Sequence, residues 1–190
     1  MSQIETILNF WFGEADENGT FKHRKEWFTK NPAFDQQVRQ FQSTYEQGAT
    51  GQFDTWMDSP QGCLALVLLL DQFPRHLFRG QPKSFATDAK ALSIAQVALS
   101  RGFDQQLLPV QRFFLYMPLE HSENPEHQNQ SVSLFHQFSE NPDLRDNYDY
   151  AIRHRDVIDR FGRFPHRNQI LGRSPTPQEV EFLKQPGSSF

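Results

Sequence analysis

Ser59–Arg75 reads SPQGCLALVLLLDQFPR, and the fold turns on this stretch. Its Ser-Pro head is a helix start: the serine oxygen can accept from a free first-turn amide, and proline suits the first helical position. Cys63 to Leu70 is apolar without a break, so a helix formed here has no face to turn to water and belongs at the centre of the molecule. The run is far short of the ~20 residues that span a bilayer. The helix is expected to end near Phe73-Pro74.

Helical periodicity continues on both sides. Ile4, Ile7, Leu8 and Trp11 make a stripe at spacings of three and four, closed by Gly13. Asn31-Pro32 starts a segment with Phe34, Val38, Phe41 and Tyr45 on one face, stopped by Gly48. From about Asp88 to Arg101, Ala91, Leu92, Ala95, Ala98 and Leu99 face inward. Val110, Phe113, Phe114 and Met117 form a fifth stripe, expected to bend or break at Pro118. Asn124-Pro125 opens a sixth helix carrying Val132, Phe135 and Phe138. Ala151, His154, Ile158 and Phe161 define a seventh, and Thr176-Pro177 caps a short last one with Glu179 in its first turn. The longer loops are predicted from Thr20 to Trp27, around Arg79 to Ser84, and from Gly162 to Pro177.

No alternating strand pattern interrupts this series. The 19 Phe, with few Val or Ile, suit helix–helix packing better than a sheet. The sequence predicts an all-α protein, a single domain over residues 1–190 built of consecutive antiparallel helix pairs. The W-x2-L-G-x2-Y arrangement of the tetratricopeptide repeat is absent. A net charge of −4 and a pI near 6.0 favour neither nucleic acid nor membrane as a partner. One cysteine, Cys63, excludes an intrachain disulfide framework and reads as a small buried hydrophobe. The N-terminus lacks the basic region of a signal peptide, and a soluble cytoplasmic protein is expected. No Walker loop, dinucleotide GxGxxG or GxSxG elbow occurs.

Arg153 to Arg173 holds six of the 13 arginines and no lysine, with His154 and His166 among them. A planar guanidinium offers a fork of donors that fits carboxylates and phosphates, so this imbalance suggests a fixed polar site for an anion. FWFG at Phe10 to Gly13, LLLDQFPRHLFRG at Leu68 to Gly80, FATD at Phe85 to Asp88, FFLYMPLEHSE at Phe113 to Glu123 and RFGRFPHRNQILGR at Arg160 to Arg173 together resemble a bacterial family, domain of unknown function 924. The resemblance covers nearly the whole chain in order. It implies a right-handed TPR-like helical array and leaves the activity open. His76 departs from the family pattern, which more often has Asn there.

His154 shares the inward face of Ile158 and Phe161, and His121 would continue the face of Phe114 and Met117 if helix resumes past Pro118. These two are the candidate acid/base residues, with Glu120, Glu123 and Gln128 nearby. Arg155, Asp159 and Arg163 form a ladder at intervals of four if their helix persists, and pairing along it is the plain account of two arginines. Arg160, His166, Arg167 and Asn168 lie around the turn at Gly162 and Pro165. Asp71, Gln72, Arg75 and Arg79, at the end of the most buried helix, are the remaining candidate ligand contacts. Asp71 is expected to pair with an arginine.

Three functions compete. The first is a pocket for a small carboxylate or phosphate, with His154 or His121 exchanging protons near neutrality. The second is a helical scaffold receiving a protein partner. The third is a metal-dependent enzyme using His121, His154 and His166 with Glu120 or Glu123. A single inward histidine is more simply a core residue bonded to a carbonyl; two in neighbouring helices favour a shared site more strongly. No cofactor is identified.

Overall fold

The computed structural model describes residues 1–16, 21 and 23–189, so Thr20 and Lys22 of the expected Thr20 to Trp27 loop lie outside the described residues. The described residues contain α-helices and short 3-10 and π turns and no β-strand. They form two compact units, residues 1–79 with 84–118, and residues 80–83 with 119–190.

The first unit contains α1 (Gln3–Phe12), α2 (Pro32–Val38), α3 (Gln42–Ala49), α4 (Pro60–Val67), α5 (Phe73–Leu77), α6 (Asp88–Ser100) and most of α7 (Pro109–Glu120). Every residue from Cys63 to Leu70 is fully buried, as an all-apolar helix requires. α1 and α6 pack on α4, and α2 packs on α5. Phe34, Val38, Phe41 and Tyr45 are all buried, on two short helices joined by a 3-10 turn.

Two prolines behave differently from expectation. The central helix does not stop at Pro74. It widens into a π turn over Leu68–Gln72 and continues as α5 to Leu77. Pro74 has no amide to give the carbonyl four residues back, Leu70. The Thr87 hydroxyl donates to that carbonyl instead, at 2.6 Å, inside the core. Likewise α7 runs through Pro118 to Glu120 without a break.

The second unit contains the end of α7, α8 (Pro125–Phe135), α9 (Arg145–Phe161) and α10 (Pro177–Phe182). α8 and α9 pack against each other. Val157, Ile158 and Phe164 form a small core with Phe161 and Phe182 against it. α9 ends at Gly162, whose φ of 69° is left-handed and therefore cheap only for glycine. No helix among the described residues is long and apolar enough to cross a membrane.

The Thr87 contact yields a direct expectation. Thr87→Val keeps the shape but strands the Leu70 carbonyl, and it should cost about 1–3 kcal/mol in denaturant unfolding. Thr87→Ser should retain most of that stability. Equal stability of the valine variant and the parent would show that the hydroxyl does not replace the missing amide.

Candidate functional site

The end of α7 delivers Glu120, not His121, to the interior of the second unit. Glu120 and His154 are both buried, and Glu120 Oε1 lies 2.9 Å from His154 Nδ1. The Tyr150 carbonyl is 2.8 Å from the same nitrogen. Both neighbours of Nδ1 are acceptors, so Nδ1 carries a proton. His121 lies just past the helix end, half-buried, with its ring 6.5 Å from that of His154. It is less buried than Phe114, Met117 and Glu120, residues of α7 that precede it.

Gln128 on α8 is wholly buried and donates from Nε2 to the carbonyls of Glu120 (2.7 Å) and Ser122 (2.6 Å). The Glu120 carbonyl is an orphan acceptor at the end of α7 and that of Ser122 follows in the turn, so the amide closes the helix and anchors Glu120. Gln128 Oε1 and Ser131 Oγ, one turn apart on α8, are buried and make no hydrogen bond. Buried polar atoms of that kind are uncommon.

Phe164, fully buried, is the hub of the same unit. The His154 ring meets it edge-on at 5.5 Å, the His166 ring lies 5.7 Å away, and the Arg167 guanidinium sits over its face at 4.6 Å. Three of the sequence candidates therefore gather on one aromatic ring. The Phe164 amide donates to Glu123 Oε1 (2.8 Å), and its carbonyl accepts from Arg173 Nη2 (2.9 Å).

Most of the other arginines in this stretch serve carboxylates of the chain itself. Arg173 grips Glu123 through Nη1 and Nη2 at 2.8–3.1 Å and donates from Nε to Asn168 Oδ1. Asn168 Nδ2 passes the chain of bonds to Glu179 Oε2 (3.2 Å), which with Oε1 takes the Arg163 fork at 2.8 and 2.7 Å. Arg163 thus leaves the ladder expected from Arg155 and Asp159: α9 has already ended at Gly162, and the chain turns Arg163 to a different acid. Arg160 is exposed and lies over the rings of Phe161 and Phe182 at 4.7 and 5.7 Å.

Glu179 plays two parts. It closes the capping box of α10 with Thr176 and receives Arg163. The Arg163 hydrogen bonds, against the opposing effect of burial and with help from the Thr176 amide and Asn168, hold its carboxyl down at about 2. Burial pushes the Glu123 carboxyl up, but Arg173 and the Phe164 amide outweigh it and the net direction is down.

Asp71, Gln72, Arg75 and Arg79 belong to the first unit. Arg75 donates to the Asp71 carbonyl, sits 3.4 Å from its carboxylate and forks onto Asp88 at 3.1 and 3.2 Å, so the expected pairing of Asp71 with an arginine is present. Gln72 donates to Asp71 (2.6 Å) and to Met117 Sδ. Arg79 forks onto Asp35, which also holds His76, two residues the sequence reading did not connect.

A cleft of about 520 Å³ in the second unit is lined by Pro165, His166, Asn168, Gln169, Pro175 and Leu183. Two of the sequence candidates, His166 and Asn168, form its wall. Among the described residues no group of three or more His, Cys, Asp or Glu side chains is placed to hold a metal ion.

The depressed Glu179 carboxyl fixes the sign of an acid effect. A folded-state pKa below the ordinary 4.5 adds stability above that value, which is lost as pH falls from there toward about 2. Glu179→Gln should lower Tm at pH near 7 and flatten the acid branch of a Tm-versus-pH curve. An acid branch as steep as the parent's would remove Glu179 as its source.

No curated protein matches the chain. The solved structure of the protein of unknown function ATU0120 from Agrobacterium tumefaciens is similar, with 36% identity and a TM-score of 0.84 over 95% of this chain and 96% of that one. The family described as bacterial proteins of unknown function (DUF924) matches residues 7–187. The chain therefore belongs to the DUF924 family, the one its sequence phrases resemble.

Proposed function

We propose that the second unit binds a small anionic molecule, a carboxylate or phosphate, in the cleft bordered by His166, and that the Glu120–His154 pair beside it handles a proton. The observation that carries this reading is the gathering of His154, His166 and Arg167 on the ring of Phe164, with His166 also in the cleft wall. His166 and Gln169 can donate to ligand oxygens, while Pro165, Pro175 and Leu183 suit a short apolar body. Arg167 adds positive charge on the buried side.

The other candidates take supporting roles in this reading. Arg163 and Asn168 hold the loop in place through Glu179, and Arg173 does so through Glu123. Asp71, Gln72, Arg75 and Arg79 brace the first unit. Glu120 sets the tautomer of His154, and Gln128 sets Glu120. An imidazole backed by a carboxylate is suited to general acid/base work. The second reading, a TPR-like scaffold for a protein partner, draws on exposed apolar side chains at Leu171, Val180 and Leu183.

Native mass spectrometry of gently purified protein tests the two together. A retained small anion should be present in the parent and fall at least tenfold, about 1.4 kcal/mol, in His166→Ala, with Tm unchanged. His154→Phe, which preserves packing on Phe164, should retain the anion and alter the pH dependence of its binding. Equal retention in His166→Ala and the parent would defeat the anion reading. A protein partner captured without any small molecule would transfer the case to the scaffold.

A further inference from the structure

The residues around the cleft of the second unit, Pro165, His166, Asn168, Gln169, Pro175 and Leu183, include no lysine, arginine, aspartate or glutamate. The two guanidiniums tied to this wall through Asn168 are engaged by the chain itself. Arg163 forks onto Glu179 at 2.7 and 2.8 Å, and its Nη2 also donates to the Ser174 carbonyl at 2.9 Å. Arg173 donates to Glu123, to the Phe164 carbonyl and, from Nε, to Asn168. A fork bound to a carboxylate must lose those charge-assisted bonds before it can grip a second anion. Asn168 itself spends its oxygen on Arg173 at 2.9 Å and donates to Glu179 at 3.2 Å. The wall therefore offers an anion the donors of His166 and the exposed Gln169 amide, with Arg167, buried over Phe164, adding positive charge.

Resting on the anion reading of this cleft, we propose that its ligand is a monocarboxylic acid with a short aliphatic body, not a phosphate. The carboxylate accepts from His166 and Gln169, and the hydrocarbon lies on Pro165, Pro175 and Leu183. Val180, three residues before Leu183, is exposed as well, and the Leu183 amide still bonds to the Glu179 carbonyl. At that helical spacing the two side chains share a face, so the apolar strip continues along α10 for a longer chain.

Charge decides between the two ligand chemistries. A phosphate monoester brings about −1.5 to −2 charge and three acceptor oxygens near pH 7. Such a group is held where guanidinium forks or converging backbone amides meet it, and here the forks are spent. A carboxylate brings one charge and needs fewer donors, and its affinity grows with the apolar body it takes out of water.

The test uses the full chain at pH about 7, where carboxylic acids are ionised. Formate, butyrate, hexanoate and inorganic phosphate are titrated while the His166 ring resonances are followed, identified by their loss in His166→Ala. From butyrate to hexanoate, affinity should rise about two- to fourfold for each added methylene. Phosphate should bind about tenfold more weakly than hexanoate, or worse. Leu183→Asn, at an exposed position, should flatten the dependence on chain length and leave formate binding unchanged. The Leu183 carbonyl, which accepts from Ser188 Oγ at 3.1 Å, is retained in that variant. Phosphate binding as tightly as hexanoate, or affinity independent of chain length, would overturn the monocarboxylate while leaving the cleft an anion site. A His166 ring unmoved by every probe would overturn both. The series in the parent decides the matter even if the asparagine variant misfolds.

Discussion

Two carboxylates hold the end of this chain in place. Glu123, just past α7, and Glu179, in the first turn of α10, each receive an arginine fork, and Asn168 links the two forks through its amide. Residues 162–176 have almost no regular secondary structure of their own, so their backbone groups need partners from elsewhere. Glu123 and Arg173 supply them to both polar groups of Phe164. The ring of Phe164, once fixed, sets the positions of His154, His166 and Arg167. The charged residues thus act first as structure, and the proposed site is what they position.

That division alters the meaning of the arginine-rich stretch. A run of guanidiniums without lysine suggested a fixed site for an anion, and two of them, Arg163 and Arg173, fork onto carboxylates of the chain itself. The acids that satisfy them lie 16 residues away for Arg163 and 50 for Arg173. No spacing rule reaches so far, so a sequence alone cannot separate an arginine awaiting a ligand from one already matched by its own chain. Glu179 was legible as a helix cap, because capping is local, but not as the partner of Arg163. The Asp35–His76 pair, 41 residues apart, was invisible for the same reason.

The helices were legible because their signals are local. Cys63–Leu70 announced a buried helix, and the inward face of His154 followed from its spacing to Ile158 and Phe161. Prolines misled at both places where they lie inside a helix. At Pro74 the lost backbone bond is replaced by Thr87, 17 residues from the carbonyl it serves. Of the neighbours Glu120 and His121, both candidates from the sequence, Glu120 is the more deeply buried. A turn of helix rotates about 100° per residue, so a single step carries a side chain to another face.

A double-mutant cycle on Glu123 and Arg173 tests most directly whether carboxylate forks organise the C-terminal segment. Glu123→Gln, Arg173→Met and the double variant would be compared with the parent by denaturant unfolding. The account predicts a coupling energy on the order of 1–3 kcal/mol, the range for partners in one hydrogen-bonded network. It also predicts that in each single variant the His166 ring loses its fixed place against Phe164, seen as lost ring-contact NMR signals. Additive effects with those signals intact would contradict it.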